Sequence, residues 1–299
     1  MQKNRKKTLI IILSISIICG VIYTCYSIFS KPKININQLP GKIIFGREIG
    51  STENNGICIF QPKNKSLTAI LEGDYYTYVD LDNRKDRFLT IKRMQDADTY
   101  KDVICEYSFI DKKLTQIMPE KSIGNPGLLY VKYVPGTDEI SYIWGNKLYI
   151  YNKLSKIETY IVDVNSNYCW SNDGKVLFYC KPYTNQIFKY YLGERKEELL
   201  FQGDSPEISL DSKYLGYIDD KNNTLIVKEM STDKEWRYKT DSSIVFFKFS
   251  PDDNYILFLQ GSKSNIFAAS SHLKVLKFRT GDTINLFNDA YFGRTFDWK

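Results

Sequence analysis

A tight turn followed by an alternating apolar strand recurs about every forty residues, and this period constrains the fold more than any other feature. The clearest copies read VPGTDEISY (134–142), SNDGKVLFY (171–179), SLDSKYLGY (209–217) and SPDDNYILF (250–258), with starts 37, 38 and 41 residues apart. Each ends on an apolar residue, one intervening residue and an aromatic: Ile140/Tyr142, Leu177/Tyr179, Leu215/Tyr217 and Ile256/Phe258. A spacing of two puts both members of a pair on one face of a strand. Asp, Asn, Gly and Pro ahead of them supply turn chemistry. Weaker copies read DLDNRKDRFLT (80–90) and LPGKIIF (39–45), and the longer gap before Val134 is read as a polar loop near 92–102.

Two further strand-like runs follow each copy, such as KLYIY (147–151) and KIETYIV (156–162), and a short one precedes most of them, such as NYCW (167–170). Five complete sets of four strands emerge, with a first set over 39–71 that lacks its opening strand. The end of the chain, TFDWK (295–299), supplies it: Asp297-Trp298-Lys299 resembles Cys169-Trp170-Ser171. Such ribbons cannot bury themselves singly. The expected fold is all-β, a six-bladed propeller of four-stranded antiparallel blades closed by 295–299. Seven blades are required only if 260–290 holds additional short strands. A sandwich does not keep so even a period over its whole length.

The turn-and-strand signature resembles the TolB-like, or WD-repeat-like, propeller repeat, whose blade reads Trp-Ser-Pro-Asp-Gly and then Ile-x-Phe. Ser250-Pro251-Asp252-Asp253 with Ile256 and Phe258, and Trp170-Ser171-Asn172-Asp173-Gly174 with Leu177 and Tyr179, carry the likeness. It covers about 260 residues, and no copy keeps the whole motif. The resemblance implies inner strands lining a central channel and two broad loop faces. It implies no ligand.

Ahead of the repeats, residues 8–29 form 22 residues without a charge. As a helix they would rise about 33 Å, enough to cross a hydrocarbon core of roughly 30 Å. Lys3, Arg5, Lys6 and Lys7 precede this run, and the bias predicts a cytoplasmic N-terminus. The expected organisation is a basic tail (1–7), a transmembrane helix (8–29), a tether (30–38) and the propeller (39–299). Cell-membrane, single-pass localisation with the propeller outside the cytoplasm follows, with the lipid bilayer as a partner of residues 8–29. The overall charge of +6 owes four units to that tail; removing them from 41 leaves 37 basic against 35 acidic residues. This is no nucleic-acid footprint.

Catalytic signatures are absent from the pattern. His272 is the one histidine and reads as a strand-end residue. One His builds neither a His-based metal cluster nor, without a Gly-x-Ser-x-Gly elbow, a triad. Cys58, Cys105, Cys169 and Cys180 sit among apolar neighbours as buried thiols do, with Cys169–Cys180 the alternative disulfide. Asp219-Asp220-Lys221-Asn222-Asn223 and Asp252-Asp253-Asn254 are turn sequences without the spacing of a calcium loop. Tyr183, Trp236 and Tyr291 are the aromatic candidates for a loop or channel position. No catalytic, cofactor or metal residue is assigned and no cofactor is expected. The expected function is a non-catalytic, protein-binding scaffold anchored outside the cytoplasm. The alternatives are binding of an envelope glycan or small ligand, and a propeller hydrolase with its site in the channel.

Overall fold

A computed structural model describes residues 34–47, 56–82, 86–96, 99–122, 127–232, 234–261, 272–287 and 292–299. All the described strands lie in the unit 35–299. The expected transmembrane helix (8–29) and basic tail (1–7) lie outside the described residues. Crossing a bilayer takes about 20 consecutive apolar residues in helical form. Among the described residues no helix is long and apolar enough. The helical segments found there are 3-10 turns of three residues, Ile36–Gln38, Pro62–Asn64 and Asp220–Asn222. The expectation of an anchored, single-pass protein with the bilayer as partner is therefore corrected: no described residue supports it. An uncharged run had been read as a helix on hydropathy alone, and no described element supports that step.

Six antiparallel sheets form the propeller. Blade 1 has β1 (Ile43–Arg47), β2 (Gly56–Gln61) and β3 (Ser66–Glu72). Blade 2 has β4 (Tyr75–Asp82), β5 (Arg87–Asp96), β6 (Thr99–Ser108) and β7 (Lys113–Gln116), with the two-residue β8 (Lys121–Ser122) pairing β6. Blade 3 runs from β9 (Leu128–Tyr133) through β10 (Glu139–Trp144) and β11 (Lys147–Asn152) to β12 (Glu158–Asp163). Blade 4 comprises β13 (Tyr168–Trp170), β14 (Val176–Lys181), β15 (Gln186–Tyr191) and β16 (Lys196–Gln202). Blade 5 comprises β17 (Asp204–Ile208), β18 (Tyr214–Asp219), β19 (Thr224–Glu229) and β20 (Glu235–Lys239). Blade 6 comprises β21 (Ile244–Phe249), β22 (Ile256–Gln260), β23 (His272–Lys277) and β24 (Asp282–Phe287). The last strand, β25 (Phe292–Trp298), is the innermost strand of blade 1.

The polar loop expected near 92–102 is instead the end of a long hairpin. Strands β5 and β6 each run ten residues. Their charges pair across the ladder: the Arg93 Nε donates to Asp102 Oδ1 at 2.9 Å, and Arg93 lies opposite Asp102. A polar sequence is compatible with strand here because Arg93 and Asp102 meet across the ladder, one strand apart.

The recurring Ser-x-Asp has one local cause in three blades. The Ser171 hydroxyl donates to Asp173 (2.6 Å) and accepts from the Val176 N–H (3.0 Å). Ser209 repeats this with Asp211 and Tyr214, and Ser250 with Asp252 and Tyr255. The residue after the Asp is left-handed each time: Gly174 (φ 69°), Ser212 (59°) and Asp253 (53°). Gly174 needs to be glycine for a second reason, since a Cβ there would lie 2.3 Å from the Pro135 carbonyl oxygen of blade 3.

The core lies between blades. The aromatic member of each repeat pair, Tyr142, Tyr179, Tyr217 and Phe258, is buried against the neighbouring blade. Full burial of a Phe-sized side chain stabilises by about 1.5–3 kcal/mol. Closure rests on β25: Ile43 lies opposite Trp298, Ile44 opposite Asp297, and Phe45 opposite Phe296. The Trp298 Nε1 donates to the Pro40 carbonyl at 2.7 Å, and Lys42 and Lys299 exchange backbone hydrogen bonds.

Trp298→Ala is expected to cost about 3–5 kcal/mol of unfolding free energy, the range for a buried Trp, measured by urea denaturation. Gly174→Ala is expected to cost about 1–3 kcal/mol from the left-handed backbone, with the carbonyl clash added. Ser212→Gly, at the equivalent turn position, is expected to leave the midpoint nearly unchanged.

Candidate functional site at the channel mouth

The strand register defines one equivalent position in every blade, two residues before the turn. It is Asp297 in blade 1, Asp80 in blade 2, Lys132 in blade 3, Cys169 in blade 4, Glu207 in blade 5 and Lys248 in blade 6. In blades 1, 3, 4, 5 and 6 it lies one residue before the last inner-strand pair, as Cys169 opposite Phe178, Glu207 opposite Gly216 and Lys248 opposite Leu257 show, and in blade 2 Asp80, opposite Leu89, lies two residues before it. All six are buried and line one cavity of about 560 Å³. Its rim is built from the inner turns, with exposed Asn172 and Leu210 and half-buried Pro135 and Pro251.

Buried charges need partners, and here they supply one another. The Lys248 Nζ donates to Glu207 Oε1 at 2.7 Å and lies 3.8 Å from Asp297 Oδ1. Lys132 reaches past the small, neutral Cys169 to stand 3.5 Å from Glu207 Oε2, and its ammonium donates to the Tyr168 carbonyl. Lys299 lies 3.5 Å from Asp297 Oδ2 and donates to the Leu81 carbonyl. The carboxylates also clamp neighbouring blades. Asp297 accepts the Leu81 N–H at 2.7 Å, and Asp80 accepts the Tyr133 N–H at 2.9 Å. Near the rim, Asp253 accepts the N–H groups of Leu210 and Asp211, both at 2.9 Å.

These contacts push the ionisations apart. Burial raises the Asp80 carboxyl, and the charge of Asp297 adds to the shift. Burial opposes the charge of Asp297 too, but Lys299, Lys248 and two backbone N–H groups hold it below the ordinary carboxylate range. Burial lowers Lys132. It also works against Lys248, where Glu207, Asp297 and Asp80 overcome it and raise the ammonium.

The residues singled out in the sequence lie elsewhere, apart from Cys169. His272 opens β23, half-buried, and its Nδ1 is buried without a hydrogen-bond partner. Tyr183 is 97% exposed in a turn, and Trp236 packs edge-on against Tyr214 and Phe278. Tyr291 lies outside the described residues. Cys58, Cys105, Cys169 and Cys180 are buried thiols, and Cys169 faces Phe178 rather than Cys180. Asp219 accepts from Asn222 and Asp252 from Asn254 within their own turns, while Asp253 ties its turn to that of blade 5. Among the described residues no three His, Cys, Asp or Glu side chains group as metal ligands. The channel residues escaped sequence reading, although their constant place ahead of each turn was the available signal.

Glu207→Ala would leave Lys132 and Lys248 short of a buried partner, and about 3–5 kcal/mol of destabilisation is expected. Glu207→Gln should cost less. Thermal and urea unfolding of both variants measure this.

No family model matches the chain, and no curated protein matches it. Solved structures do. TolB from Acinetobacter baumannii aligns with a TM-score of 0.71 at 12% identity, over 86% of this chain and 67% of that one. A candidate TolB from Agrobacterium tumefaciens gives 0.60 at 12% identity, over 83% and 88%. A chain of a nidogen/laminin complex gives 0.62 at 7% identity, over 85% and 97%. At these identities the likeness shows the fold, a six-bladed TolB-like propeller with four-stranded antiparallel blades.

Proposed function

We propose that this propeller is a protein-binding scaffold that engages a polar segment of its partner at the channel mouth. The observation that carries the reading is the cavity of about 560 Å³ to which every blade contributes the residue two before its turn. Its charges are fixed before any ligand arrives, so binding carries little ordering cost. The neighbour of similar fold in the nidogen/laminin complex is a precedent for a propeller of this kind meeting another protein.

Two other readings fare less well. A glycan site needs exposed aromatic faces, but Trp170, Phe249 and Trp298 at the mouth are buried. The indole N–H groups of Trp170 and Trp298 are committed to Ser141 and Pro40. A hydrolase needs a carboxyl within hydrogen-bond reach of its substrate. Asp80, Glu207 and Asp297 do line the channel, but each is buried and already accepts from a fixed donor.

Leu210→Arg and Asn172→Arg alter exposed rim positions and are expected to move stability by no more than about 0.5 kcal/mol. Cross-linking in the native host with wild type and with the double variant tests the proposal. A specific protein captured by wild type and lost with the folded variant is the expected result. The same set of proteins recovered with both would overturn it.

A further inference from the structure

Away from the channel, the side of blade 3 that faces blade 2 carries a cage of aromatic rings with a cation already seated in it. Tyr142 and Trp144 lie two apart on β10 and so share a face. Tyr149 on β11 stands directly opposite Tyr142, with their rings stacked at 5.8 Å. Glu158 on β12 adds a carboxylate that accepts the Tyr142 hydroxyl. Into this group reaches Lys121, from the two-residue β8 that hangs on blade 2. Its Nζ lies 4.3 Å from the Trp144 ring centre, 5.5 Å from Tyr142 and 5.7 Å from Tyr149. It donates to Glu158 Oε2 at 2.7 Å.

Three rings and one carboxylate around a single ammonium are the recognition chemistry of an organic cation. The site is also reachable from outside. A cavity of about 860 Å³ adjoins it, lined by Met118, Pro119, Trp144, Tyr151, Lys156 and Glu158. Its occupant is held by a short strand with two backbone pairings, Lys101 with Ser122 and Asp102 with Lys121. Removing Lys121 would not orphan Glu158, because the Tyr142 hydroxyl still donates to it.

From this arrangement we infer that Tyr142, Trp144, Tyr149 and Glu158 form a binding site for a primary alkylammonium, the lysine side chain of a partner protein, which Lys121 fills in its absence. The carboxylate decides for a primary ammonium, because a quaternary one has no proton for Glu158. The site is independent of the channel mouth, and each stands or falls by itself.

The test titrates the full chain with n-butylammonium and with tetramethylammonium, at ionic strength matched by sodium chloride, and follows indole fluorescence. The variants are Lys121→Ala and Lys121→Ala/Trp144→Ala, with folding checked by thermal melts. Lys121→Gln, which keeps much of the stem, replaces Lys121→Ala if the latter unfolds. Saturable n-butylammonium binding to the Lys121 variant is expected. In wild type it should be measurably weaker, because Lys121 is a tethered competitor at an effective concentration in the millimolar range. The double variant should not bind, and tetramethylammonium should bind the single variant more weakly than n-butylammonium. A folded Lys121 variant that ignores n-butylammonium, equal binding by wild type, or tighter binding of tetramethylammonium would each overturn the inference.

Discussion

The pairing of the first described strand with the last is the constraint on which the rest depends. Without it, the backbone groups along the channel side of β1 would face no strand, and blades 6 and 2 would lose the surface that separates them. Closed sheets remove free edges, and here one seven-residue strand does so for the whole circle. Its carboxylate then ties the join to the next blade through the Leu81 N–H. The remaining blades follow a shared plan, with apolar pairs pointing into the seams and, in blades 4, 5 and 6, Ser-x-Asp turns setting where the second strand begins.

Much of this plan was legible because it is local. Ser171, Ser209 and Ser250 mark their turns through bonds made within five residues, so the pattern survives in the sequence whatever the blades do to each other. The closing strand was legible through the likeness of Asp297-Trp298 to Cys169-Trp170. The ten-residue hairpin of blade 2 was not, since its charges look like those of a loop until the opposite strand is known. The segment 8–29 lies outside the described residues, and among those that are described no helix is long and apolar enough to carry the hydropathy reading further.

The channel was the least legible part. In an alternating strand, a polar residue between apolar ones reads as facing solvent. At Lys132, Glu207 and Lys248 the same alternation points inward, because the innermost strand has the axis rather than bulk water on its other side. What satisfies each of these groups comes from a different blade, tens of residues away. No window of sequence contains both members of such a pair. The Lys121 cage is of the same kind, since its rings and its cation belong to separate blades.

The neutral thiol in blade 4 has a consequence for anything that enters along the axis. Six repeats of one supersecondary unit would offer a visitor six interchangeable settings. The sequence of groups met on going round (acid, acid, base, thiol, acid, base) maps onto itself under none of the five rotations that superpose the blades. A pseudo-symmetric scaffold thus acquires a unique azimuth, and a bound segment can be oriented as well as held.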